Sequence, residues 1–296
     1  MIEMFSHEIL SSYSFIIVSI GTFLLAMASG AIGCITVLKG QSLIGDAIGH
    51  SSFPGIILAF MLFMQRDPVI LLVGAIFSGA VAFVLIQVIH SNSKLDLDAI
   101  LAVILSSFFG LGMVFKSYIQ GNPKFAGASQ SGLQNYIFGQ AAYIMKDDIR
   151  LILFVAITAL LLLIIFYKEI KIFVFDEIYS KTIGLNTTLL YGIILFMTMS
   201  LIATGLKLVG AILISSLLIV PAITALQWSN RFNVVLVIAS FVGGVSALIG
   251  TYISTAYNGM STGPTIILIM STFAFISLII GPHGMIANLR MRRKYK

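Results

Sequence analysis

Nine long apolar runs, most of them parted by short polar breaks, constrain this chain more than any other feature of its sequence. They fall near residues 14–38, 43–64, 68–90, 97–116, 149–167, 187–204, 208–227, 233–255 and 264–282. Each is close to the ~20 residues that cross a hydrocarbon core as a helix. Lipid offers the backbone no hydrogen-bond partners, so such runs are expected to be helical throughout. Composition agrees, with only 9% charged residues and a mean hydropathy of +1.07. A soluble domain carries roughly 25% charged residues, and this chain has too little polar surface to cover a globule in water. The expected fold is all-α and polytopic, with about nine transmembrane helices, eight being the other count the pattern allows, in a single transmembrane domain over 1–296. The first run, Tyr13 to Leu38, is long enough to stay in the membrane as a span.

Loops set the expected orientation. The longest stretch outside the spans, 117–148, holds Gly121-Asn122-Pro123, Gly127 and Gly132, then an apolar patch from Tyr136 to Met145 too short to cross. Nine crossings put eleven of the 17 basic residues on one face: Lys39, Lys94, Lys168, Lys171, Lys181, Arg231 and those of the tail RMRRKYK. The other face takes Arg66, Lys116, Lys124, Lys146, Arg150 and Lys207. The richer face is expected to be cytoplasmic, with the N-terminus outside and the C-terminus inside. This rests on an odd count, and the segment Gly205–Gly210 is where the count is weakest. A net charge of +6 spread this way reports membrane orientation and gives no reason to expect nucleic acid as a partner. The single cysteine, Cys34, excludes an internal disulfide and a CxxC metal site. Many of the 26 glycines lie within apolar runs, among them Gly30, Gly33, Gly74, Gly79, Gly243 and Gly244, and read as close helix–helix packing.

Between Lys39 and Arg66 the only ionisable side chains are Asp46 and His50, in LIGDAIGHSSFPGI. Placing a carboxylate in hydrocarbon costs about 3 kcal/mol on insertion scales, so such a residue faces a bundle interior or an aqueous path. Positions i and i+4 share one helix face, and a carboxylate with an imidazole can bind one cation together. That donor pair suits manganese, zinc or ferrous iron better than copper(I), which prefers sulfur. Two side chains underfill such an ion, leaving the other ligands to water, backbone carbonyls or another chain. The competing structural explanation is an Asp–His hydrogen bond that locks helices together, and on the pair alone the two weigh evenly. Pro54 and Gly55, after Gly40, Gly45 and Gly49, predict a broken or kinked helix here, a device found where backbone lines a cavity.

Other titratable groups read as structural. His7 and His90 fall near span ends, His283 sits in a GPHG turn, Lys207 snorkels at a span boundary, and Asp96 and Asp98 flank a helix start. The chain lacks a GxxxxGK[ST] phosphate loop, an HExxH, a GxSxG and a CxxC. It is therefore expected not to be an enzyme, and any ATP hydrolysis must come from a separate polypeptide.

The segment GDAIGHSSFPGI resembles the permeases of ABC metal importers of the manganese, zinc and iron class. LDAILAVILSSFFGLGMVF, LQNYIFGQ (133–140), FDEIYSKTIGL (175–185), LVGAILISSLLIVPAITA (208–225) and STGPTIIL (261–268) resemble further elements of that family in order. Two departures stand out: Glu177 replaces a proline and Ser180 an alanine in the FDP segment. Asn258 lies near where relatives carry an acidic residue before SGP, so no ligand role is given to it.

The resemblance implies a cobalamin-permease-like type II ABC importer fold and a single permease domain in the bacterial plasma membrane. It implies two copies of the chain, two cytoplasmic ATPase subunits, an extracytoplasmic metal-binding protein and surrounding lipid as partners. No cofactor is bound permanently; the divalent metal, manganese by preference, is substrate. Asp46 and His50 match the metal-contacting positions. The helix after Pro221, through Gln227, Trp228, Ser229, Asn230 and Arg231, matches the element that docks on the ATPase, with 176–185, including Asp176 and Glu177, beside it. The alternative from another class is an ATP-independent cation transporter or channel using the same pair.

Overall fold

The structure is a computed structural model and describes residues 13–65, 67–125, 146–257 and 260–287. Among these the chain forms α1 (Tyr13–Leu38), α2 (Ile44–Phe63), α3 (Pro68–Asn92), α4 (Leu97–Gly121), α5 (Lys146–Ile165), α6 (Tyr167–Phe175), α7 (Glu177–Thr182), α8 (Thr187–Leu226), α9 (Phe232–Ala256) and α10 (Thr262–Ile280), with no strand. The fold is all-α, as the apolar runs require. The segment 133–140, Arg66, His7, Asn258 and the basic tail lie outside the described residues.

Eight helices among the described residues are long and apolar enough to cross a membrane. The expected span 208–227 is the exception: its helix, Leu213–Leu226, is shorter. At 1.5 Å per residue it reaches about 21 Å, less than a hydrocarbon core of about 30 Å. The cause is Gly210, whose φ of 79° and ψ of 169° interrupt α8. Only glycine adopts that backbone readily. Hydropathy sees the apolar run and not the break inside it.

The chain divides into two compact units. The first is assembled from Met1–Ser42, Leu153–Thr198 and Ser216–Lys296. Its centre is α1 packed along α9, with α10 on the other flank of α9. Small residues permit this: a Cβ on Gly30 would lie 2.6 Å from the Ala239 carbonyl, and one on Gly243 would lie 2.6 Å from that of Ala26. At one end of the unit Phe232 stacks on Tyr167, rings 5.8 Å apart, and meets Phe175 edge-on at 5.8 Å. The start of α9 therefore lies beside α6, and Tyr191 of early α8 touches Phe173 of α6. The chain thus comes back, between Leu206 and Phe232, to the end from which α8 set out, although the returning helix is short.

The second unit comprises Leu43–Ile152 and Met199–Ser215. Here α2 packs on α3 and α4. Gly55 and Gly74 bring α2 and α3 into backbone contact, since a Cβ on either would strike the carbonyl of the other. Ser78 of α3 donates to the Ser51 carbonyl at 2.6 Å. Asp67 caps α3, accepting from the amides of Val69 and Ile70, with Pro68 in the first turn where its missing N–H costs nothing. Of the broken or kinked helix expected around Pro54, the break is absent: α2 is helical from Ile44 to Phe63 with Pro54 inside it. Pro54 removes the amide that would donate to the His50 carbonyl; Ser52 separately donates its hydroxyl to the Ile48 carbonyl at 2.9 Å. Among the described residues, the break inside a long helix lies at Gly210.

Candidate functional site

Asp46 and His50 stand one turn apart on α2. Asp46 is in the first helical turn, where amide dipoles favour a carboxylate. Its Oδ1 lies 3.6 Å from His50 Nε2, too long for a hydrogen bond and short enough for both atoms to reach one ion. Ser215 Oγ, from the stretch of α8 just past the Gly210 break, donates to the same Oδ1 at 3.2 Å. The imidazole is held against Phe109 of α4, ring centroids 5.2 Å apart and nearly perpendicular. Asp46 keeps 40% of its side-chain surface accessible and His50 20%, so the pair is neither sealed in the core nor free on a surface. Beneath it, Phe53 lodges against Gly112, where any Cβ would overlap the ring.

The arrangement sets an imidazole nitrogen and a serine hydroxyl each beside the same carboxylate oxygen. Such a set can replace part of the hydration shell of a hard or borderline dication. Among the described residues no group of three or more His, Cys, Asp or Glu side chains gathers anywhere. Sequence reasoning missed Ser215: no local pattern relates it to Asp46, and only the fold brings it there. An apolar cleft of about 610 Å³ in the same unit, lined by residues such as Leu58, Phe77 and Leu111, excludes both Asp46 and His50.

The residues assigned to ATPase docking sit in the first unit. The helix ends at Leu226, and Gln227 to Arg231 form the turn into α9. Trp228 is half-exposed, but its indole N–H donates to Ser277 Oγ at 2.6 Å. Asp176 caps α7 by accepting from the Tyr179 amide at 2.8 Å. Glu177 occupies the first position of α7, where proline and acidic residues are both favoured, so the departure from proline is tolerated locally. Its carboxylate accepts from Lys181 Nζ at 2.9 Å and pairs with Lys39 Nζ at 3.5 Å. The hydrogen bond from Lys181 holds the Glu177 carboxyl below its usual range, with Lys39 adding to the effect. Lys39 also sits 3.5 Å over the Phe173 ring. Burial lowers its ammonium, with Glu177 pulling the other way. Ser180 is fully buried and donates to the Glu177 carbonyl at 2.7 Å, so its hydroxyl is satisfied within α7.

Among the described residues the other histidines and the cysteine join no cluster of three or more His, Cys, Asp or Glu side chains. His90 is exposed in the last turn of α3, and His283 lies exposed in the turn after α10. Cys34 is buried, its thiol directed to the Gly30 carbonyl.

The chain is thus a polytopic α-helical membrane protein with a polar pair set into one of its spans. It matches the ABC 3 transport family over residues 12–281 and belongs to that family. It is 39% identical over 279 residues to the manganese transport system membrane protein MntC of Bacillus subtilis, covering 93% of this chain but only 63% of that protein. With the zinc transport system membrane protein TroC of Treponema pallidum it shares 35% identity over 97% of this chain and 96% of the relative. Among solved structures, PsaBC from Streptococcus pneumoniae in complex with Fab superposes with a TM-score of 0.84 at 29% identity, covering 96% of this chain and 97% of that one.

Proposed function

We propose that this chain is the membrane-spanning permease subunit of an ATP-driven divalent metal importer, with manganese the favoured substrate and zinc or iron(II) suited to the same donors. The observation that carries this reading is the Asp46–His50 pair, 3.6 Å apart, the only ionisable side chains of α2, with Ser215 donating to the carboxylate. Relatives named for manganese and for zinc transport support the substrate class and leave the choice of metal to selectivity elsewhere. In this reading one permease domain spans the bacterial plasma membrane, two copies form the pathway, and an extracytoplasmic binding protein delivers the ion. The end of the first unit built from Lys39, α6, α7 and the turn 227–231 faces the cytoplasm and meets two ATPase subunits. The N-terminus then lies outside and the C-terminus inside. The chain performs no chemistry; hydrolysis belongs to the separate ATPase.

An arriving ion exchanges water for Asp46 and His50, and the switch of the pore driven by ATP moves it inward. Both groups must be deprotonated to ligate, so binding competes with protons. The test is uptake by the chain reconstituted into vesicles with its ATPase and binding protein. The reading expects accumulation only when ATP is hydrolysed. Gradient-driven uptake by the chain alone would favour an ATP-independent transporter instead.

A further inference from the structure

The turn 227–231 does not hang free between α8 and α9. Ser277, in the last turns of α10 and only 2% exposed, donates its hydroxyl to the Thr224 carbonyl at 3.0 Å. The same hydroxyl oxygen accepts the Trp228 indole N–H at 2.6 Å. A serine hydroxyl has one proton to give and lone pairs to receive, and here it uses both kinds of capacity at once. Six residues further along, the His283 amide donates to the Gln227 carbonyl at 3.2 Å. Between them lies Gly281, where a Cβ would stand 3.0 Å from Gln227 Cβ and 3.1 Å from its carbonyl oxygen. The end of α8, the turn and the end of α10 are therefore one hydrogen-bonded body.

We infer that Ser277 is a positioning residue for energy coupling, and that α10 is the helix through which a displacement of the 227–231 turn enters the membrane. This rests on the proposed role of that turn in meeting the ATPase. Trp228 would be expected to act as a contact residue on account of its exposure. Its indole nitrogen is instead committed inward, so its ring serves as the lever and Ser277 as the fulcrum. Removing the hydroxyl leaves the Trp228 donor without its partner and cuts the second tie to Thr224. The turn is then held to the α10 end only by the His283–Gln227 bond and the packing at Gly281, and its movement carries the body of α10 less fully.

The experiment measures metal taken up per ATP hydrolysed by the permease–ATPase complex in vesicles supplied with binding protein. S277A removes both hydrogen bonds, W228F keeps the ring and removes one, and S277T restores the hydroxyl. The expected result is a fall in the ratio of about tenfold for S277A and a smaller fall for W228F, with S277T near the wild type. A loss of fold alone would lower uptake and hydrolysis together and leave the ratio unmoved, which overturns the inference. So does an unchanged ratio in both S277A and W228F. A wild-type complex that retains no ATPase overturns the importer reading and this inference with it, so the two failures are told apart by the wild type.

Discussion

Asp46 and Ser215, 169 positions apart in the chain, meet at 3.2 Å on the same carboxylate oxygen that faces His50. Ser215 thereby fixes the rotation of the carboxylate relative to the imidazole. A second group that orients a ligand typically changes affinity by about 10- to 100-fold when removed from a metal site. Because Asp46 is partly open to water, the lower end applies here. Ser215→Ala is expected to raise the metal concentration for half-maximal uptake by about tenfold with little change in the maximal rate. A loss confined to the maximal rate would place Ser215 in the conformational switch.

Glu177 supplies a pH dependence whose sign is fixed. Its carboxyl is held low by the hydrogen bond from Lys181 and by Lys39, so the native state favours the charged form. The associated stability is fully present above the ordinary glutamate range and is lost as pH falls through the lowered native value. Glu177 is 47% exposed, so the contribution is about 1 kcal/mol at most. The thermal midpoint of Glu177→Gln is expected to lie below the wild type at neutral pH and to converge with it in acid. A constant gap across pH would assign the difference to packing.

Gly210 is the one residue with non-helical backbone inside α8, at φ 79° and ψ 169°. A side chain there is strained, at a cost of about 1–3 kcal/mol. The break also places Ser215 beside Asp46, so Gly210→Ala should lower both the thermal midpoint and metal affinity. Normal affinity at reduced stability would separate the break from the site.

Sidedness can be read with thiols, because Cys34 is buried and should be silent. Ile178 on α7 is 80% exposed. Cysteine at position 178 is expected to react with a membrane-impermeant reagent in inside-out vesicles and not in intact cells. The opposite pattern would invert the orientation.

Much of this molecule was legible in sequence, for reasons that differ by feature. The spans were visible because burial in lipid demands apolar residues at every turn, and the Asp46–His50 face because a spacing of four is local geometry. The break at Gly210 was not, since glycine in an apolar run equally signals close packing, as Gly30 and Gly243 show. At Pro54 the helix continues where the sequence allowed a break, because a proline removes a single backbone donor and the turns on either side still carry the helix. Ser215 and Ser277 were invisible: each acts across the fold on a partner that no sequence spacing connects to it.

The central claim is that Asp46 and His50 hold one dication between them, and a double-mutant cycle on uptake tests it most directly. Asp46→Asn and His50→Gln keep side-chain volume while removing the charge or the imidazole. The account predicts that each alone lowers manganese uptake by more than about tenfold in an intact complex, and that the pair together is no worse than either. Uptake near the wild type in both single variants, or losses that simply add in the double variant, would contradict it.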